Sequence, residues 1–347
     1  MGQISRNDMA GILNSGDPQV LQELLQAADK CRRENAGEKV YLRGLIEFSN
    51  YCDRNCFYCG LRKNNRRLER YRLGKDEIIK LAMLAFASGY HSICLQSGES
   101  DDPLEVDFLV EVVREIKELS READEHALGL GITLSVGELE YRQYERLWEA
   151  GAHRYLLRIE SSVPELFESI HPPSQRLEQR IECLRALKDI GYQTGTGIMI
   201  GLPGQTVEHL LRELEFFRRE DIDMLGLGPY IPHHAAPLSK VKAGPLDPYL
   251  TTLKILALCR LTMPDINMVA STALQSIAPE GLRMGLKAGA NIVMPVLTPE
   301  IVRDNYYLYE QKQYKGAEEL AAEISSCGYV LGLWEWGDPL HYKKTNP

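Results

Sequence analysis

Glu47-Phe48-Ser49-Asn50-Tyr51-Cys52-Asp53-Arg54-Asn55-Cys56-Phe57-Tyr58-Cys59-Gly60 sets three cysteines in a CxxxCxxC spacing, directly after a β-prone run over 41–48. Three thiolates this close together can hold one face of a cubane iron–sulfur cluster, whereas a structural zinc or a fully ligated cluster needs a fourth ligand nearby. The next candidates along the chain are His91, on a predicted strand, and Cys94, so the loop supplies no fourth ligand. A metal left with an open position is the mark of a catalytic rather than a structural site.

Outward from this loop, short β-prone runs at 41–48, 91–96, 130–136, 153–159, 194–200, 222–228, 267–271 and 291–294 each lead into an amphipathic helical stretch. Repeated βα units predict a parallel sheet, and eight of them predict a (β/α)8 TIM-type barrel with its site at the carboxyl ends of the strands. Small-residue turns ahead of strands, Ser88-Gly89, Ala150-Gly151-Ala152 and Ala288-Gly289-Ala290, fit the same cycle. A doubly wound open sheet would carry a glycine-rich phosphate turn after its first strand, where this chain has cysteines. Residues 1–38 read as an N-terminal helical extension, with Val20, Leu21, Leu24 and Leu25 on one helical face. Residues 39–310 make the barrel, and 311–347 a C-terminal segment packing on it.

The bulk composition narrows the class. Hydrophobic residues make up 44% and charged residues 26% of 347, and no apolar run approaches a membrane span of about 20 residues. The start of the chain lacks the basic flank and apolar stretch of a secretory signal, which predicts a cytoplasmic protein. A net charge of -9 opposes nucleic-acid binding. The scattered Cys31, Cys94, Cys183, Cys259 and Cys327 read as small buried hydrophobes. The basic run from Arg62 to Arg72 reads as a charged loop that covers or docks the cluster.

The other strand ends carry polar residues. Gln96-Ser97-Gly98-Glu99 follows the second strand, and its glycine lets backbone groups approach a ligand closely. Thr133 lies near the end of the third. Arg158 and Glu160, two apart on the fourth, point the same way, either to a ligand or into an internal ion pair. Arg180 on the following helix is a ligand partner or a surface arginine. Gly195 to Thr206 forms a glycine-rich strand and loop able to admit a flat ring. His233 and His234 read as solvent-facing loop residues, because adjacent histidines seldom share an ion without a third partner. Ser271, Thr272 and Met294 line the far side of the barrel, and Tyr306, Tyr307 and Tyr309 fall where a closing segment would cross the mouth.

The cysteine loop resembles that of the radical S-adenosylmethionine (radical SAM) superfamily. That resemblance implies a [4Fe-4S] cluster on Cys52, Cys56 and Cys59, whose open iron chelates S-adenosyl-L-methionine, and reductive cleavage of that cofactor to a 5'-deoxyadenosyl radical. It also implies that the Gln96-Ser97-Gly98-Glu99 turn contacts the methionyl amine and that Tyr58 packs beside the adenine, with a plain loop aromatic as the alternative. Ile46 to Asn50, Cys56 to Arg62, Leu95 to Glu99, Arg154 to Arg158, Gly201 to Thr206 and Gly289 to Pro295 resemble the HydE family of [FeFe]-hydrogenase maturases, related to biotin synthase and methylornithine synthase.

Membership there implies a small organometallic substrate, a one-electron donor, and partner maturases and a scaffold protein. Gln96, Glu160 and Arg180 would face the cofactor, and Thr133, Arg158, Ser271, Thr272 and Met294 the substrate. Two positions depart from the pattern: Ile159 stands where several members have His, and only Cys327 lies where many relatives hold a second cysteine group, so no accessory cluster is expected. The alternatives are an amino-acid mutase of the methylornithine synthase type, a HydE-like enzyme acting on another substrate, and a non-catalytic metal scaffold.

Overall fold

Seven parallel strands, Gly44–Ser49, Ser92–Ser97, Gly131–Ser135, Ala152–Leu156, Gln193–Thr196, Met224–Leu225 and Asn267–Met268, lie side by side in chain order. The eighth, Ile292–Val293, joins the two edges: Ala270 N–H donates to Ile292 O at 2.9 Å, and Leu45 N–H donates to Pro295 O at 2.8 Å. The computed structural model describes residues 4–310 and 312–345, and over them the chain is a (β/α)8 barrel. Every predicted strand overlaps one of these eight. The parts of the expected terminal segments at 1–3, 311, 346 and 347 lie outside the described residues.

The first strand is buried at all six positions because the barrel covers one face and the helices the other, which is why such strands read as continuous apolar runs. The covering helices start on clear signals. Asp102 and Asp247 cap Pro103–Glu122 and Pro248–Thr262, each with proline in the first turn, where its missing N–H costs nothing.

Three predicted strands, 153–159, 194–200 and 222–228, outrun their ladders, which stop at Leu156, Thr196 and Leu225. Past that point Met199–Ile200 pairs with Gly228–Pro229. The chains can cross there only because a side chain is missing: a Cβ at Gly197 would lie 2.0 Å from Gly226 O. The predicted strand at 41–48 is interrupted at Arg43; Lys39–Leu42 joins a second parallel sheet with Ile292–Val293 and Val330–Gly332.

Helices Arg6–Asn14 and Pro18–Asn35 pack against the outside of the barrel, the second on Pro248–Thr262 through Leu24, Leu25, Ala28 and Cys31. At the opposite end of the chain, residues 334–338 cross the floor of the barrel. Arg154, fully buried, donates to Asp338, to Trp336 O at 2.7 Å and to Ser92 Oγ at 2.7 Å. Asn267 Nδ2 donates to Gly337 O at 2.7 Å. These partners sit at strand starts, so the floor is sealed at the amino end. Among the described residues no helix is long and apolar enough to cross a membrane.

Candidate active site

The cysteine loop leaves the first strand at its carboxyl end and is pinned by its neighbours. Asp53 N–H donates to Glu99 O at 2.8 Å, Phe57 N–H to Ile170 O at 2.9 Å and Gly60 N–H to Leu308 O at 3.2 Å. Gly98 makes this approach possible, since a Cβ there would sit 2.2 Å from Tyr51 O and 2.6 Å from Cys52 Cβ. Cys52, Cys56 and Cys59 then face one cavity of about 300 Å³ at the carboxyl ends of the strands. Burial pushes the Cys56 thiol up to about 12 and raises Cys52 and Cys59 as well. A metal ion that displaces the proton would offset this cost of burial.

The donor set fits a cluster better than a single ion. Thiolates on one tetrahedral zinc sit about 3.8 Å apart, from bonds of about 2.3 Å. These three sulfurs do not all lie within 4.8 Å of one another, and among the described residues no His, Asp, Glu or Cys completes such a group with them. All three nevertheless line the same cavity, the arrangement that a larger body with several metal corners requires.

The same cavity collects residues from around the barrel. Tyr58, Gln96, Ser97, Gly98, Glu99, Arg158, Glu160, Arg180, Ser271, Thr272 and Met294 all line it. Arg180 spans three groups from Leu177–Ile190: its Nη1 donates to Glu138 Oε1 at 2.6 Å and Glu99 Oε2 at 3.3 Å, and its Nε to Arg158 O at 2.8 Å. Glu99 is also held by Arg54 Nε at 2.6 Å. Arg158 and Glu160 form a two-pronged pair, with Glu160 at a positive φ of 60°. Tyr58 meets His171 edge-on, ring centres 5.5 Å apart.

Two hydroxyls on the cavity wall, Ser271 Oγ and Tyr230 Oη, are buried without a hydrogen-bond partner. A buried polar atom left unpaired is costly, so both are poised to receive a ligand.

Thr133 is placed differently from its sequence assignment. It is buried, its hydroxyl is unpaired, and it is not among the cavity-lining residues; Ser135, two residues on and on the same face of the strand, takes that position. Gln175 was not singled out in the sequence, yet its Oε1 accepts from Cys56 Sγ at 3.2 Å. Nothing local announces it, because 119 residues separate the pair. Glu47 and Lys312 form a buried ion pair at the cavity edge that was also missed.

Tyr306, Leu308 and Tyr309 line the cavity, so residues 305–310 form a strap at its mouth; Tyr307 of the same strap does not line it and turns to His233, ring centres 6.5 Å apart. The two histidines differ from the solvent-facing expectation. His234 is exposed but His233 is buried, and Glu310 of the strap meets both. His233 Nδ1 accepts from Ala235 N–H at 3.1 Å, which keeps its proton on Nε2 and makes the trio a clasp on the strap rather than a ready ligand set. The five scattered cysteines are buried and free, as read.

The barrel, the incomplete cysteine set and the shared cavity define a class. Residues 46–217 match the model of the radical SAM superfamily. The chain belongs to that superfamily and is an enzyme of that class, whose chemistry uses a [4Fe-4S] cluster and S-adenosylmethionine. Within it the chain belongs to the HydE-like family: it is 42% identical over 311 residues to the [FeFe] hydrogenase maturase subunit HydE of Thermotoga maritima, covering 89% of this chain and 85% of that one. It is 32% identical over 298 residues to the 3-methylornithine synthase of Methanosarcina acetivorans, covering 85% and 80%. The crystal structure of methylornithine synthase (PylB) superposes with a TM-score of 0.81 at 27% identity over 96% of this chain and 95% of that one.

Proposed function

We propose that this chain is a HydE-type maturase, in which Cys52, Cys56 and Cys59 hold the cluster and the cavity beside them takes S-adenosylmethionine and a small organometallic substrate for [FeFe]-hydrogenase cofactor assembly. The observation that carries the reading is the single cavity that joins the three cysteines to the residues of both sides; the 42% identity to HydE supports the choice of family member. When bound, the cluster offers an open iron to the methionyl amine and carboxylate and one electron to split the sulfonium, giving methionine and a 5'-deoxyadenosyl radical.

The chain's own groups do the rest. Gln96 and the Ser97-Gly98-Glu99 backbone orient the methionyl end, and Arg180, tied to Glu138 and Glu99, supplies positive charge for its carboxylate. Glu160, fixed by Arg158, accepts from ribose hydroxyls, and Tyr58 flanks the adenine. Ser271, Thr272 and Met294, with Arg158, bound the substrate, and the strap from 305 to 310 excludes water. The electron comes from a separate one-electron donor, and the product passes to partner maturases and a scaffold protein. The protein works in the cytoplasm.

Anaerobic reconstitution, reduction and addition of S-adenosylmethionine tests the reading. Production of 5'-deoxyadenosine, absent in Cys56→Ala, supports it; no production above that control returns the chain to the scaffold alternative. The likeness to methylornithine synthase motivates a second arm. Lysine supplied to the same mixture yields no methylornithine if the HydE-type reading holds, and yields it if the mutase reading does.

A further inference from the structure

We infer that the loop from Arg62 to Arg70 is the docking surface for an acidic one-electron carrier protein that reduces the cluster. The inference rests on the cluster reading above and adds the partner's chemistry and its place of contact.

Four guanidiniums fall within nine positions here, those of Arg62, Arg66, Arg67 and Arg70. Among the described residues none of the four has a carboxylate within 4.0 Å, although charged neighbours pair fully: Lys63 with Asp53 at 2.8 Å, Arg72 with Glu105 at 2.8 Å and Arg54 with Asp101 at 2.6 Å. Arg66 and Arg67 are exposed and Arg62 and Arg70 half-buried. Glu69 is the sole acid inside the segment. On a chain of net charge -9 this is a local reversal of sign, and uncompensated charge on one patch steers an oppositely charged partner.

The patch is also built onto the cysteine loop. Lys63 N–H donates to Arg54 O at 2.8 Å, Asn64 N–H to Asn55 Oδ1 at 2.9 Å and Asn65 Nδ2 to Gly60 O at 2.8 Å. Arg70 donates to Leu61 O and Arg62 O, each at 2.9 Å, and to Asn50 O. A protein seated on Arg66 and Arg67 therefore lies against the outer side of the segment that carries Cys56 and Cys59. The step is the transfer of one electron: the carrier is oxidised by one electron, the cluster is reduced by one, and no bond or proton moves.

A flavodoxin, which is acidic, serves as the probe. Its affinity for the full chain is measured by calorimetry at an ionic strength of about 0.01 M, where charges act over roughly 30 Å. R66E/R67E should weaken binding about tenfold or more, and R121E/R218E, at the carboxyl ends of their helices and so at the floor end of the barrel away from the cysteine loop, should not. In the reconstituted enzyme, stopped-flow bleaching of the cluster by flavodoxin hydroquinone should slow by a similar factor in R66E/R67E, while bleaching by dithionite is unchanged. Equal affinity and equal bleaching in R66E/R67E overturns the assignment, as does a loss in R121E/R218E of the same size. Loss of cluster from wild-type protein would overturn the cluster reading and would show in the absorbance before any carrier is added; the affinity arm still decides the docking surface.

Discussion

Glu160 accepts both arms of the Arg158 guanidinium, Nε at 2.8 Å and Nη2 at 2.9 Å, although the two residues are neighbours but one on the same stretch. The fork leaves other Arg158 protons for Ile198 O, at 3.1 Å, and Gly226 O, so one side chain ties together the ends of three strands. Lysine is a point charge and cannot reproduce this. Arg158→Lys should lower 5'-deoxyadenosine production at least tenfold, equivalent to about 1.4 kcal/mol or more, with iron content unchanged. Paired assays of iron per chain and product formation check this.

Gly98→Ala should act on the cluster itself. Its added methyl collides with Tyr51 O and Cys52 Cβ, so the first cysteine moves out of place. Iron retained after reconstitution should fall well below wild type. Gly74→Ala, where nothing lies within 4 Å and φ is -72°, should retain the full amount.

The barrel floor makes a stability prediction. Asp338 is held well below the usual carboxylate range by Arg154, against the opposing effect of its own burial, and Arg154 is fully buried. Asp338→Asn leaves that guanidinium without its counter-charge and should cost about 3–5 kcal/mol in denaturant unfolding. Replacing both partners with apolar residues should cost less than the single change.

Two buried histidines should make acid destabilise the fold from about pH 6.5 downward. Burial holds His171 down to about 3, where its Nδ1 contacts Phe167 O at 3.0 Å and its ring stacks on Phe167. His153, also buried, is lowered to about 4. A folded value below the free value of about 6.5 means that the stabilisation of the neutral ring is complete above about 6.5 and is lost as pH falls through the folded value. Unfolding free energy should drop between about pH 6.5 and 4, by about 1.4 kcal/mol per pH unit for each such ring. His171→Phe should flatten that slope in a pH series of urea melts.

The parts of this molecule readable from sequence are those with local causes. A strand followed by a helix is encoded over a dozen residues by apolar periodicity and caps such as Asp102 with Pro103, so all eight units were legible. The three cysteines were legible because their spacing is itself the chemistry. Contacts between distant elements left no such mark. Gln175 reaches Cys56, Arg180 reaches Glu99 and Glu310 reaches His234 only because the barrel brings their loops to one rim. Strand alternation places Thr133 and Ser135 on one face but does not say how deep the cavity goes, and on this strand its lining stops at Ser135. The pairing of Lys39–Leu42 with Val330–Gly332 likewise joins opposite ends of the chain.

With Trp336, Gly337 and Asp338 plugging the lower end, the interior is a cul-de-sac. Reactants and products must share one doorway, and the Glu47–Lys312 and Glu310–His234 contacts are its bolts. Under the assignment proposed above, a substrate seated beyond the cofactor would have to enter before it and its product leave after it, so turnover would be ordered by traffic as much as by chemistry.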